Sequence, residues 1–318
     1  ICEKADIILG VGTRFQDFTT GSWSLFKNPN RKLISLNVAA YDAQKHGAVP
    51  LLADALAGLN ALSEKLSSFK MEAPSQSLKT DWFIKTDKLT KMPETENSLA
   101  TDMQVIGAVQ RESGENTVVM CAAGTMPGEL HKLWKAGNPG SYHMEYGFSC
   151  MGYEIAGALG IKMADPMRDV ICFTGDGTYM MANSELATAA MMKIDFTVII
   201  TDNRGFGCIN RLQMGTGGAE FNNLFEHAYM GENSSIDFTL HAASMGATAK
   251  KVASIKELEE ALSNRHSISG PYVIVIDTDP YPSTPYGGTW WDVAVPEVSK
   301  RTEVNEKFEA YIQSKPNR

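Results

Sequence analysis

The residues of this 318-residue chain best suited to chemistry stand in two short runs, Gly175-Asp176-Gly177-Thr178 and Asp202-Asn203-Arg204-Gly205-Phe206-Gly207. Glycine lets a backbone come close to a ligand and present its N–H groups, which suits a phosphate. An aspartate between two glycines would repel that phosphate. The conflict disappears if a divalent cation bridges the two. Mg2+ prefers six oxygen ligands, drawn from one or two carboxylates or amides together with substrate phosphates and water. Asp176 can offer a carboxylate, Asn203 a side-chain carbonyl and Gly205 a backbone carbonyl, leaving room for diphosphate oxygens and a water. Asp176 and Asn203 lie 27 positions apart, which accommodates one helix and one strand between them. Gly-Asp-Gly by itself is more often an ordinary loop, so the second run is what makes the pair a candidate metal site.

Both runs follow apolar stretches, over 170–174 and 196–201, and further stretches of this kind occupy 117–121 and 272–276. Amphipathic or apolar helical patterns lie between them, over 102–113, 127–135, 152–163, 184–192 and 255–264. Continuous apolar strands alternating with helices predict an α/β fold, a parallel sheet covered by helices on both faces. Ligands of such sheets sit beyond the carboxyl ends of the strands, which is where both runs fall. Asn183-Ser184-Glu185 reads as the cap of the next helix. Residues 1–70 show strands over 6–11 and 32–38 and a helix through Leu56, Leu59, Leu62 and Leu66. Residues 71–98 are polar and lack sustained periodicity, so they read as a linker with room for one short helix. Residues 99–318 form the second domain with a C-terminal tail.

Hydrophobic residues make up 43 % of the chain, enough for two cores. The 29 Lys and Arg against 37 Asp and Glu give a net charge of −8, which argues against nucleic acid or acidic lipid as partners. Five cysteines without a Cys-x-x-Cys pair exclude zinc-ribbon or dithiol chemistry and fit a cytoplasmic setting. No apolar run is long enough to span a membrane, and the residues before the first strand do not read as a secretory leader. The chain opens on Ile1 and runs at once into a strand pattern, so it is read as a portion of a longer protein.

Gly175-Asp176-Gly177, 24 further residues, then Asp202-Asn203 resembles the metal and diphosphate motif of the thiamine diphosphate-dependent enzymes. The resemblance implies Mg2+ held by Asp176, Asn203 and the carbonyl of Gly205. Asp202 departs from the family, which usually has Asn there. Glu145 to Tyr153 resembles the segment before the family's central helix, and Met151 matches the apolar residue that wedges under the thiazolium. An unbranched, polarizable side chain suits that space. The resemblance also places Gly124 and Thr125, at the end of the 117–121 strand, near the cofactor, together with Gly175, Gly177, Thr178, Phe206 and Gly207.

Residues 1–70 resemble the closing part of the family's middle domain, and 99 to about 280 its diphosphate-binding domain. The strings over 143–160, 175–213 and 287–299 are similar to a branch that opens a small polyhydroxylated cyclic dione by C–C hydrolysis in inositol catabolism. The resemblance implies a homodimer or homotetramer, with the glutamate that activates the cofactor in a domain preceding Ile1. The 318 residues alone are therefore expected not to turn over. An acetolactate-synthase-like carboligase or decarboxylase would share the same motif. A nucleotide-binding module, suggested by Gly10-Val11-Gly12, fails because Phe15 stands where the dinucleotide fingerprint needs glycine. His143, Glu145, Asn210, Arg211 and Gln213 are polar candidates without assigned roles. His131 and His143 more often serve structure, and Glu185 can favour a helix N-terminus. The paired Trp290 and Trp291 suit an interface.

Overall fold

The structure, a computed structural model, describes residues 1–70, 77–93, 98–145, 147–229, 235–287 and 292–315. Trp290, Trp291 and parts of the 71–98 segment lie outside the described residues. The chain divides into two compact units, Ile1–Asp81 with Gly288–Arg318, and Trp82–Gly287. The sequence reading placed the tail with the second domain, whereas its contacts group it with the first unit. There the backbone N–H of Asp292 donates to Ser22 Oγ at 2.9 Å.

The first unit holds a parallel three-stranded sheet, β1 (Ile7–Val11), β2 (Lys32–Asn37) and β3 (Val49–Leu52), in that order. Helices α1 (Asp17–Thr20), α2 (Ala40–Gln44) and α3 (Ala55–Lys65) accompany it, and α13 (Thr302–Ser314) lies in the tail. Asp54 caps α3 by accepting from the N–H groups of Leu56 and Ala57. Phe15, Phe26, Leu33 and Ala48 form its small core. The Phe15 ring occupies the space beside Gly10, where a nucleotide phosphate loop would need open backbone. The connecting segment contains α4 (Ser77–Asp87).

The second unit is built on six parallel strands: β4 (Thr117–Cys121), β5 (Tyr142–Met144), β6 (Asp169–Gly175), β7 (Thr197–Asp202), β8 (Thr248–Val252) and β9 (Tyr272–Asp277). Their order is β5-β4-β6-β7-β9-β8. Alternation along each strand sends Ile171, Phe173, Ile199 and Ile274 to one buried cluster and Cys172, Val198, Ile200 and Val275 to the other. Helices α5 (Asp102–Arg111), α6 (Thr125–Leu133) and α12 (Ile255–Ser263) contribute to the first cluster. Helices α7 (Tyr153–Ala164), α8 (Asp176–Met181), α9 (Glu185–Met192) and α11 (Phe238–Ser244) contribute to the second. Helix α10 (Gly207–Gly215) follows β7. Thr101 and Gln104 form a reciprocal capping box at the start of α5.

Both faces of the sheet are therefore covered, as expected. The pattern did not predict β3, β5 or β8. Pro50 interrupts β3, an edge strand where the missing N–H is tolerated. β5 has three residues, and Lys250 and Lys251 break the apolar run of the edge strand β8. Ser184 precedes α9 but makes no side-chain cap; Asn183 instead donates to the carbonyl of Tyr179 at 2.9 Å.

Candidate functional site

Strands β6 and β7 pair in parallel with Gly175 opposite Thr201, so both chains leave the sheet side by side. The sequence suggested a loop after Gly175, yet α8 begins at once with Asp176 as its first residue. An acidic side chain is favourable in a helix's first turn, and burial of Thr178 and Tyr179 docks this short helix. Asp176 is 3 % exposed. Its Oδ2 accepts the N–H of Gly205 at 2.8 Å, joining the two strand tips. Its Oδ1 and the Oδ1 of Asn203 are both buried with no hydrogen-bond partner among the described residues.

Two such oxygens at adjacent tips are costly unless something satisfies them. Burial and the nearby Asp202 push the Asp176 carboxyl up to about 7, against the opposing backbone hydrogen bonds. A bound cation would favour its ionised form. No cluster of three or more His, Cys, Asp or Glu side chains forms a metal site among the described residues. The all-oxygen set with a single carboxylate matches Mg2+ bound together with substrate phosphates. The residues present therefore fit the metal and the diphosphate it would carry.

Close packing accounts for the glycines around this pair. A Cβ on Gly177 would lie 2.7 Å from the ring of Phe206, so the β6 tip and the loop after β7 touch through that bare backbone. Gly205 has φ +148°, and a Cβ there would lie 2.4 Å from the carbonyl oxygen of Asn223. That segment is fixed by the N–H of Phe206 donating to Asn223 at 2.7 Å and that of Phe225 donating to Arg204 at 2.9 Å. Gly207 then opens α10. Asp202, the departure from the family pattern, accepts the N–H of Arg204 at 3.0 Å and so shapes the turn that carries Asn203.

Two further turns lie at carboxyl ends of the sheet or at a helix entry. Gly124 caps α6, and Thr125 Oγ1 accepts from Arg211 on α10, whose guanidinium also donates to the carbonyl of Pro280. Asp102 is buried near that guanidinium, and burial pushes it up to about 7 although Arg211 opposes the shift. Met151 is half-buried just before α7. Its turn is folded by Glu145, which accepts the N–H of Phe148 at 2.9 Å and that of Cys150 at 2.8 Å. Burial raises the Glu145 pKa, but the backbone N–H groups outweigh it and hold it below the usual range.

Contacts thus bring Asp176 to Gly205 and Gly177 to Phe206, with Asn203 on the same loop after β7 and Gly175 and Thr178 flanking on β6 and α8. Thr125 is tied to α10 through Arg211. Asn210 and Gln213 serve another purpose: Asn210 donates to Glu220 at 2.8 Å, and Gln213 accepts from Asn223 at 2.8 Å. His143 stacks on Tyr153, with Nε2 3.3 Å from the phenol oxygen. Sequence reasoning missed Glu154, a carboxylate in the first turn of α7 ahead of the apolar run Ile155–Ile161. Its placement beside that apolar run was the available signal.

Comparison with known proteins agrees with this geometry. Residues 122–276 match the C-terminal TPP binding domain of thiamine pyrophosphate enzymes, and residues 1–62 match their central domain. A relative from Bacillus cereus (strain AH820), called 3D-(3,5/4)-trihydroxycyclohexane-1,2-dione hydrolase, is 36 % identical over 99 % of this chain and 54 % of its own length. Proteins of the same name from Bacillus thuringiensis (strain Al Hakam) and Bacillus anthracis are 35 % identical over the same shares. The chain spans about half the length of these relatives. With both domain matches falling on its two sheets, the chain belongs to the thiamine pyrophosphate enzymes.

Proposed function

We propose that this chain provides the Mg2+ and diphosphate anchor of a hydrolase that opens the ring of 3D-(3,5/4)-trihydroxycyclohexane-1,2-dione to 5-deoxyglucuronate in myo-inositol degradation. The observation that carries the anchor is the pair of buried, unpartnered oxygens on Asp176 and Asn203. The substrate rests on the name shared by the relatives. Residues 1–70 would be the closing part of the central domain, 71–98 a linker, and 99–287 the diphosphate domain, with the tail from 288 on belonging to the first unit.

When bound, thiamine diphosphate supplies the nucleophile and electron sink that allow a C–C bond beside a carbonyl to break. Asp176 Oδ1, Asn203 Oδ1 and the carbonyl of Gly205 would hold Mg2+. Gly124, Thr125, Gly175, Gly177, Thr178, Phe206 and Gly207 would line the cofactor, and Met151 would support its rings. Glu145 would keep the Met151 turn folded. A neutral polyol needs no basic patch, in keeping with the net charge of −8. The full-length protein would act as a cytoplasmic homodimer or homotetramer. Calorimetry on the full-length protein tests the reading: thiamine diphosphate should bind only with Mg2+ present, and NAD should not bind. NAD binding without thiamine diphosphate binding would overturn it.

A further inference from the structure

Glu154 is 2 % exposed, and each of its carboxylate oxygens meets a backbone N–H. Oε2 accepts from Gly152 at 2.8 Å, immediately after Met151. Oε1 accepts from Ala123 at 3.3 Å, immediately before Gly124 and 31 positions upstream of Glu154 itself. One side chain thus ties together two turns from separate strand-to-helix connections. The cysteine thiols of Cys121 on β4 and Cys172 on β6 are both pushed up by burial and, secondarily, by this carboxylate.

A carboxylate in a helix's first turn is ordinarily accounted for by its own helix N-terminus. An exposed side chain would serve that purpose at less cost, because burying a carboxylate is expensive unless its hydrogen bonds are made. The bond to Ala123 is not explained by capping α7. We infer that Glu154 is a positioning residue that locks the Met151 turn to the Gly124 turn, and so sets where the rings of the cofactor sit without taking part in the metal anchor. This rests on the cofactor assignment proposed above. Among the described residues Glu154 joins Ala123 and Gly152, whereas the metal anchor has its own junction, the Asp176 to Gly205 contact.

The full-length protein carrying Glu154→Ala or Glu154→Gln tests the inference, with thiamine diphosphate and inorganic pyrophosphate titrated separately at saturating Mg2+. Loss of a charge-assisted hydrogen bond in a buried site predicts thiamine diphosphate weakened about tenfold or more in Glu154→Ala. Glu154→Gln keeps one good acceptor and should fall between that variant and the unaltered protein. Pyrophosphate, which reaches only the anchor, should bind each variant within about twofold of the unaltered protein. Unchanged thiamine diphosphate affinity in both variants would overturn the inference, as would equal weakening of both ligands. If Glu154→Ala does not fold, Glu154→Gln decides by the same two comparisons. Failure of the unaltered protein to bind thiamine diphosphate would instead overturn the cofactor assignment, and this inference with it.

Discussion

At the level of single residues, Asp176 and Asn203 each keep one buried oxygen without a partner among the described residues, as Asp102 and Asn210 also do, but theirs stand at the tips of the paired strands β6 and β7, against the general rule that buried polar groups are satisfied. Such a feature costs the metal-free fold stability and is retained where it serves binding. Asp176→Ala in the full-length protein should therefore abolish Mg2+-dependent retention of thiamine diphosphate on gel filtration. Unchanged retention would move the metal elsewhere. Asp176→Asn, which removes a buried charge but keeps an acceptor for the Gly205 N–H, should leave the metal-free protein at least as stable in urea unfolding while losing cofactor retention. Gly205→Ala acts on geometry instead. Its Cβ would strike the Asn223 carbonyl and its φ of +148° suits glycine, so the variant should lose about 1–3 kcal/mol of stability and, with it, the cofactor. Wild-type thermal stability and retention in that variant would show that the turn can relax.

At the level of elements, what the sequence made legible followed burial. Continuous apolar strands declared themselves: 117–121 is predicted and observed with the same bounds, and 272–276 differs by one residue at its end. Edge strands with lysines or proline did not, since their pattern answers to solvent on one side. Helices α8 and α10 were hidden because each begins beside glycines that read as loop. The candidate metal pair could be read because both members end legible strands. Glu154 and Arg211 could not be assigned, because each reaches a distant segment, Glu154 the N–H of Ala123 and Arg211 both Thr125 Oγ1 and the carbonyl of Pro280, and no spacing in the sequence signals such a pairing.

The opposite end of the sheet supplies another test at this scale. Arg265, with a side chain 5 % exposed, donates to Asp169 at 2.7 Å and to the carbonyls of Leu262 and Glu112, tying the start of β6 to the ends of α12 and α5. Burial alone would raise the Asp169 pKa, but Arg265 and Thr117 bring it below the usual value. A depressed folded pKa contributes stability that is present above the ordinary aspartate value and lost as pH falls through the folded one. Arg265→Ala should cost about 3–5 kcal/mol near neutral pH, by leaving a buried charge unpaired. The difference from the unaltered protein should shrink in acid, below the ordinary aspartate range, when followed by urea unfolding at several pH values. A constant difference across pH would mean that Arg265 contributes through its carbonyl contacts and packing rather than through Asp169.

For the whole molecule, the fold and the family narrow the chemistry to thiamine diphosphate enzymes, while the choice among their reactions depends on the substrate. A carboligase or decarboxylase acting on pyruvate would use the same Asp176 and Asn203 anchor, so neither residue discriminates between the reactions. Product analysis does. The full-length protein supplied with thiamine diphosphate and Mg2+ should open the cyclic dione to an open-chain acid and leave pyruvate untouched. Chelation of the metal with EDTA should stop ring opening, and added Mg2+ should restore it, because the proposed anchor has one carboxylate and would depend on the cation to hold the diphosphate. Consumption of pyruvate with the dione left intact would assign the anchor to the carboligase branch, and ring opening that persists in EDTA would separate the activity from the metal site altogether.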